Sequence, residues 1–286
     1  MAEWEDLRFD GSRKARLDTL RTNYTGEYAN KEEAAARLRT VQEALSEVHD
    51  RLYAQGQWAV LLILQGMDAS GKDGVIKHVM AGLNPQGTDI YSFKAPSAEE
   101  HAHDYLWRVH KCLPERGKIG VFNRSYYEEV LVVRVHNLLD AERLPQPCRE
   151  DIWVKRFRQI RHFEQYLWEN GILPVKVFLH VGREEQAERL LDRIEDRAKN
   201  YKFNEADLEE RKYWDQYHSC YEDAINETAA AYAPWYVVPA DKKWYARLAV
   251  SEILLRTLKG LDLRYPELGE DKRSVLTRYR DMLLKG

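Results

Sequence analysis

Forty-four lysines and arginines against 47 aspartates and glutamates leave a net charge of −3 over 286 residues, of which 44% are apolar and 32% charged. That is the composition of a globular domain with ample material for a core. It excludes a bulk electrostatic case for a nucleic-acid partner, so any polyanion must be met by local clusters of basic residues. No apolar run approaches the ~20 residues of a membrane helix, and the opening MAEWEDLRFD lacks the cationic and apolar regions of a signal peptide. Cys112, Cys148 and Cys220 stand far apart in no CxxC spacing, which fits a reducing cytoplasm and argues against structural zinc.

The first predicted helix begins at Asn30-Lys31-Glu32-Glu33, close to a capping box, and carries Leu38, Val41, Leu45, Val48 and Leu52 on one stripe up to Gly56. Short apolar runs then recur at Trp58–Gln65, Asp89–Phe93, Lys118–Phe122, Val175–Val181 and Trp235–Val238, each separated by room for helices. Such spacing predicts a three-layer α/β domain of about five parallel strands with helices on both faces. The expected division is an N-terminal helical extension over 1–56, a core over 57–260 and a C-terminal helical tail over 261–286. In the tail, Val275, Tyr279 and Leu283 recur at spacings of four.

Directly after the first predicted strand the chain reads Gly66-Met67-Asp68-Ala69-Ser70-Gly71-Lys72-Asp73-Gly74, and a helical pattern follows in which Lys77 is a further candidate phosphate contact. This is GxxxxGK in the strand-to-helix setting of a phosphate-binding loop. The backbone amides of Gly66, Ala69, Ser70, Gly71, Lys72, Asp73 and Gly74 can close around phosphate oxygens, while Lys72 supplies a mobile ammonium. Asp73 replaces the usual magnesium-ligating Ser or Thr. A second acid in the loop, Asp68, needs a cation between itself and a phosphate, which makes it the first candidate metal ligand; its structural alternative is to hydrogen-bond loop amides.

A turn at Asn84-Pro85-Gln86-Gly87 leads to Phe93-Lys94-Ala95-Pro96-Ser97, with Lys94 placed to reach an anion, and then to a predicted helix carrying Glu99 through His110. The third strand ends in Asn123-Arg124-Ser125-Tyr126-Tyr127-Glu128. Ligands sit at the carboxyl ends of strands in open α/β sheets, so Asn123 and Arg124 should face the phosphate loop. Arg124 then grips phosphate or pairs with Glu128 four residues on. Candidate nucleotide contacts are Lys94, Tyr126, Tyr127, Glu128 and Arg134. Further on, Arg189, Arg193 and Arg197 stand four apart among acidic residues. They form either a solvated salt-bridge lattice or, in a phosphate-loop kinase, a lid at about 183–215 that closes over transferring phosphates.

Taken together, GMDASGKDG, NPQG, FKAPS, FNRSYYE and APWYVVPADKKWYAR resemble the polyphosphate kinase 2 family over about Leu52 to Leu258. The resemblance implies a thymidylate-kinase-like fold, a homodimer or homotetramer, and magnesium-dependent (or manganese-dependent) transfer between inorganic polyphosphate and nucleotides. It also implies metal roles for Asp68 and Asn123, phosphate roles for Lys72 and Arg124, and a lid bearing the three arginines. Asn123 departs from the commoner Asp-Arg-Ser pattern, in the direction of the branch that accepts nucleoside monophosphates as well as diphosphates. The competing readings are an ATP-dependent nucleoside monophosphate kinase and a phosphate-loop regulatory binder.

Overall fold

A computed structural model describes residues 3–142 and 144–285. In chain order its principal elements are β1 (Arg8–Phe9), α1 (Lys31–Gln55), β2 (Ala59–Gln65), α2 (Lys72–Val79), β3 (Thr88–Ser92) and β4 (Ile119–Asn123). They continue with α3 (Ile152–Glu169), β5 (Ile172–His180), α4 (Arg183–Glu195), α5 (Trp214–Thr228), β6 (Trp235–Pro239), α6 (Lys243–Lys259) and α7 (Glu270–Leu284). The sheet order is β1-β6-β5-β2-β4-β3. β2 to β6 run parallel, and β1 adds an antiparallel edge, with Phe9 opposite Trp235. The N-terminal segment, expected to be helical only, therefore extends the core sheet.

All seven residues of β2 are buried, because the strand lies between β4 and β5 with helices over both faces. That is why its sequence is continuously apolar and does not alternate. α6 packs against both α1 and α2, and α3 and α5 pack against each other. α1 starts as its sequence predicts: Asn30 accepts from the Glu33 amide at 2.9 Å and Glu33 accepts from the Ala29 amide at 3.1 Å. It stops at Gly56, whose φ of 62° is the left-handed C-cap that glycine adopts without strain.

The single helix expected over 99–110 is instead two short turns, Glu100–Ala102 and Trp107–His110. Ser97 and Glu100 cap one another reciprocally, but Asp104 then accepts from the Leu106 amide at 2.9 Å and starts a fresh turn. A side chain that offers the backbone a local alternative interrupts the helix there.

Candidate active site

The carboxyl ends of β2, β4 and β5 meet where the chain order reverses, and the phosphate loop lies there. Gly66 leaves β2 at φ 158°, and a Cβ on it would stand 2.7 Å from Ser70 Oγ and 3.0 Å from the Leu179 carbonyl, so the loop can turn this tightly only on glycine. Ala69 takes a left-handed φ of 59°, and Gly71 at φ 107° caps α2. Lys72 is folded back under the loop, donating to the carbonyls of Gly66 at 2.6 Å and Met67 at 3.2 Å. Burial pushes its ammonium below the ordinary lysine value, against the pull of Asp68.

Asp68 and Asn123 each have a partner. Arg124 donates from Nη2 to Asp68 at 2.7 Å, so the ion pair is with the loop acid and not the Glu128 contact that sequence spacing allowed. Burial works against the Arg124 charge, but Glu128 and Asp68 more than offset it and hold the guanidinium above its usual value. Burial also raises the Glu128 carboxyl, with Arg124 and Lys72 opposing. Asn123 donates to Asp73 at 2.7 Å. The two positions at which this chain leaves the usual phosphate-loop pattern are hydrogen-bonded to each other.

The expected lid arginines separate into three environments. α4 ends at Glu195, because the Asp196 carboxylate accepts from the Ala198 amide and pairs with Lys199. Arg197 is therefore off the helix and exposed. Arg193 pairs with Asp207 at 2.9 Å, a residue whose carboxyl is raised by burial and by the nearby Asp68 charge. Arg189 is buried, and Nε donates to Glu185, Nη1 to the carbonyls of Ala69 and Ser70, and Nη2 to those of Ala240 and Asp241. A guanidinium has five N–H donors. All five are committed here, so Arg189 braces the phosphate loop and has no donor left for a phosphate, contrary to its expected role.

Beside the loop a cavity of about 650 Å³ opens between the β3 and β4 ends and α3. Lys94, Arg124 and Glu128 line it, with Phe93, Val132 and Ile152 among its apolar walls. Tyr126 and Tyr127, expected at the nucleotide, do not line it. They are fully buried and donate to Glu164 at 2.9 and 2.8 Å. Arg134 pairs with Asp223 at 2.7 Å. Lys77 is exposed on α2. Sequence reasoning missed Arg156 and Glu129, a buried ion pair in the cavity wall at 3.4 Å, with Arg156 also 3.9 Å from the Tyr105 ring centre. Their separation in sequence gives no local signal. It also missed Asp207, and Gln186, which donates to the Asp68 carbonyl at 2.8 Å.

Among the described residues no three His, Cys, Asp or Glu converge as a ready-made metal cage. Magnesium keeps several waters and takes one or two protein oxygens plus substrate phosphates. Asp68 with the amide oxygen of Asn123, whose nitrogen is occupied by Asp73, is a donor set of that size, so the residues fit the metal.

The sequence model of polyphosphate kinase 2 matches residues 28–266. The chain belongs to the polyphosphate kinase 2 family. It is 52% identical to the ADP-polyphosphate phosphotransferase of Rhodopseudomonas palustris over 90% of both chains. It is 47% identical to the AMP/ADP-polyphosphate phosphotransferase of Meiothermus ruber, over 83% of this chain and 85% of that one. The crystal structure of polyphosphate kinase 2 from Arthrobacter aurescens TC1 superposes with a TM-score of 0.86 at 38% identity, covering 96% of each chain. As a family member the chain is a transferase with a phosphate-loop kinase fold, as its sequence predicts.

Proposed function

We propose that this chain moves a phosphoryl group from inorganic polyphosphate, its end held by the phosphate loop, to ADP and AMP seated in the cavity beside it. The observation that carries the reading is the near full-length relatedness to phosphotransferases named for ADP and for AMP/ADP. The two sides of the site suit the two substrates. An apolar-walled cavity takes a nucleoside, and a loop of amides with Lys72 takes phosphates. Arg124 touches both, bonding the loop acid Asp68 and lining the cavity.

In the transfer, a terminal oxygen of the acceptor phosphate attacks the end phosphorus of the polyphosphate. The new P–O bond forms as the anhydride P–O bond breaks, and the chain leaves one phosphate shorter with the electron pair. The attacking oxygen is already ionised, so positioning and charge neutralisation carry the step. Lys72 and Arg124 neutralise the equatorial oxygens. Asp68 and Asn123 would hold magnesium, which when bound supplies charge neutralisation between donor and acceptor phosphates. The cytoplasm is the compartment proposed, supported by three free cysteines. A homodimer or homotetramer is the assembly proposed, supported by the exposed Val275, Tyr279, Met282 and Leu283 of α7.

Purified protein given polyphosphate, magnesium and AMP without ATP should form ADP and then ATP, followed by chromatography over time. Failure with ADP as acceptor removes the reading; failure with AMP alone removes monophosphate use.

A further inference from the structure

Arg124, which reaches both the phosphate loop and the cavity, stands on a backbone that arginine does not adopt by preference. Its φ is 63°, in the left-handed region where a Cβ crowds the following carbonyl, and an L-residue stays there only when its surroundings over-determine it. β4 delivers the chain to this point in a fixed position. The Asn123 carbonyl accepts from the Phe93 amide at 3.1 Å, and the Arg124 amide donates to the Leu64 carbonyl at 3.1 Å. With that amide fixed, rotation at Arg124 decides where its side chain and the residues after it point. The very next residue is held as well. Ser125 is fully buried, and its Oγ accepts from Gln65 Nε2 at 3.1 Å and from the Tyr127 amide at 3.2 Å.

Gln65 is the odd member of its strand. β2 reads Ala-Val-Leu-Leu-Ile-Leu-Gln with every residue buried, and Gln65 is 0% exposed. Its Oε1 accepts from no protein group among the described residues, and a buried amide paired at one end stabilises a core less than an apolar side chain of the same size. What the amide does supply is the hydrogen bond to Ser125, one residue beyond Arg124.

We infer that Gln65 is a positioning residue for the transfer: by holding Ser125 from the end of β2, it keeps Arg124 in the left-handed conformation that aims the guanidinium at the phosphate loop. The inference rests on the charge-neutralising role proposed for Arg124. It extends the machinery of the reaction to a residue outside the cavity wall.

The test is a double-mutant cycle on polyphosphate-dependent transfer to ADP, with Gln65→Met, Arg124→Ala and the two combined. Methionine is close to glutamine in volume and lacks the donor to Ser125. Gln65→Met should lower kcat about tenfold, or about 1.4 kcal/mol, with KM for ADP nearly unchanged. In the Arg124→Ala background the same substitution should cost almost nothing, because no guanidinium is left to aim. A merely structural role would carry the full loss into that background. Ser125→Ala removes the same bond from the other side and takes the place of Gln65→Met in the cycle if that variant does not fold. An unchanged kcat, or a loss of equal size in both backgrounds, overturns the positioning role. Turnover by Arg124→Ala at the level of the unaltered protein overturns the role of Arg124 itself, a different and separately readable failure.

Discussion

At Lys72 the energetics of the resting loop and of the transfer step pull apart. Its ammonium makes two hydrogen bonds to loop carbonyls, worth about 1 kcal/mol each in net stability, whereas a charge aimed at a transferring phosphoryl group supplies about 3–4 kcal/mol. Lys72→Ala should therefore lower kcat by about 10²–10³-fold with only a small shift in thermal melting; turnover that survives intact would remove Lys72 from the step. Asn123 is the other informative residue. Asn123→Asp places a carboxylate against Asp73, where 2.7 Å now separates a donor from its acceptor, and two carboxylates that close resist ionising together without a cation. Transfer should become more steeply dependent on magnesium, and the ratio of AMP to ADP activity should fall as a tighter metal ligand fixes the acceptor phosphate. Initial rates with both nucleotides across a magnesium series decide, and an unchanged ratio would detach Asn123 from acceptor choice.

At the scale of elements, α3 and β5 are joined through the core by Glu164 and Lys176, both side chains 0% exposed and 2.6 Å apart. Tyr126 and Tyr127 donate to the same Glu164, so the segment after β4 that carries Arg124 and Glu128 is anchored from beneath. Glu164→Ala leaves a buried ammonium unpaired and should cost about 3–5 kcal/mol, whereas Glu164→Leu/Lys176→Met removes both charges and should cost much less. Urea unfolding of the two variants measures the difference, and equal losses would deny the pair its charge coupling. This network also shows where sequence reading stops. β2 and the Asn30 cap are local patterns, and both were legible. So was the phosphate loop. The destinations of Tyr126, Tyr127 and Arg189 depend on Glu164, Ala240 and Asp241, which are distant in sequence. A tyrosine pair beside a motif and an arginine on a four-residue spacing look the same whether they meet ligand or core. The break after Glu195 does not show in the four-residue spacing of Arg189, Arg193 and Arg197, because it comes from the Asp196 carboxylate, which serves a turn.

For the whole molecule, acid should be the weak side of the stability profile. His180, 2% exposed at the end of β5, has a ring centre 5.5 Å from that of His218. Burial and that neighbour depress its pKa from 6.5 to about 4. The fold thus holds the neutral ring while the unfolded chain takes up a proton below pH 6.5, so stability is full above that value and is lost as pH falls toward about 4. The loss attributable to this one group is about 1.4 kcal/mol per pH unit across the window. His49 and His218 are depressed by burial as well and add in the same direction. Melting temperature followed from pH 7 to pH 4 should decline less steeply in His180→Phe, which keeps a ring in the same packing. Parallel profiles would show that His180 does not titrate in this range.

The five hydrogen bonds of Arg189 also bear on time. One guanidinium joins the phosphate loop, the first turns of α4 and the segment between β6 and α6. None of the three can fray without releasing the others, so they belong to one cooperative opening unit. The backbone that a phosphate would meet is thus held before binding by contacts from outside the loop itself.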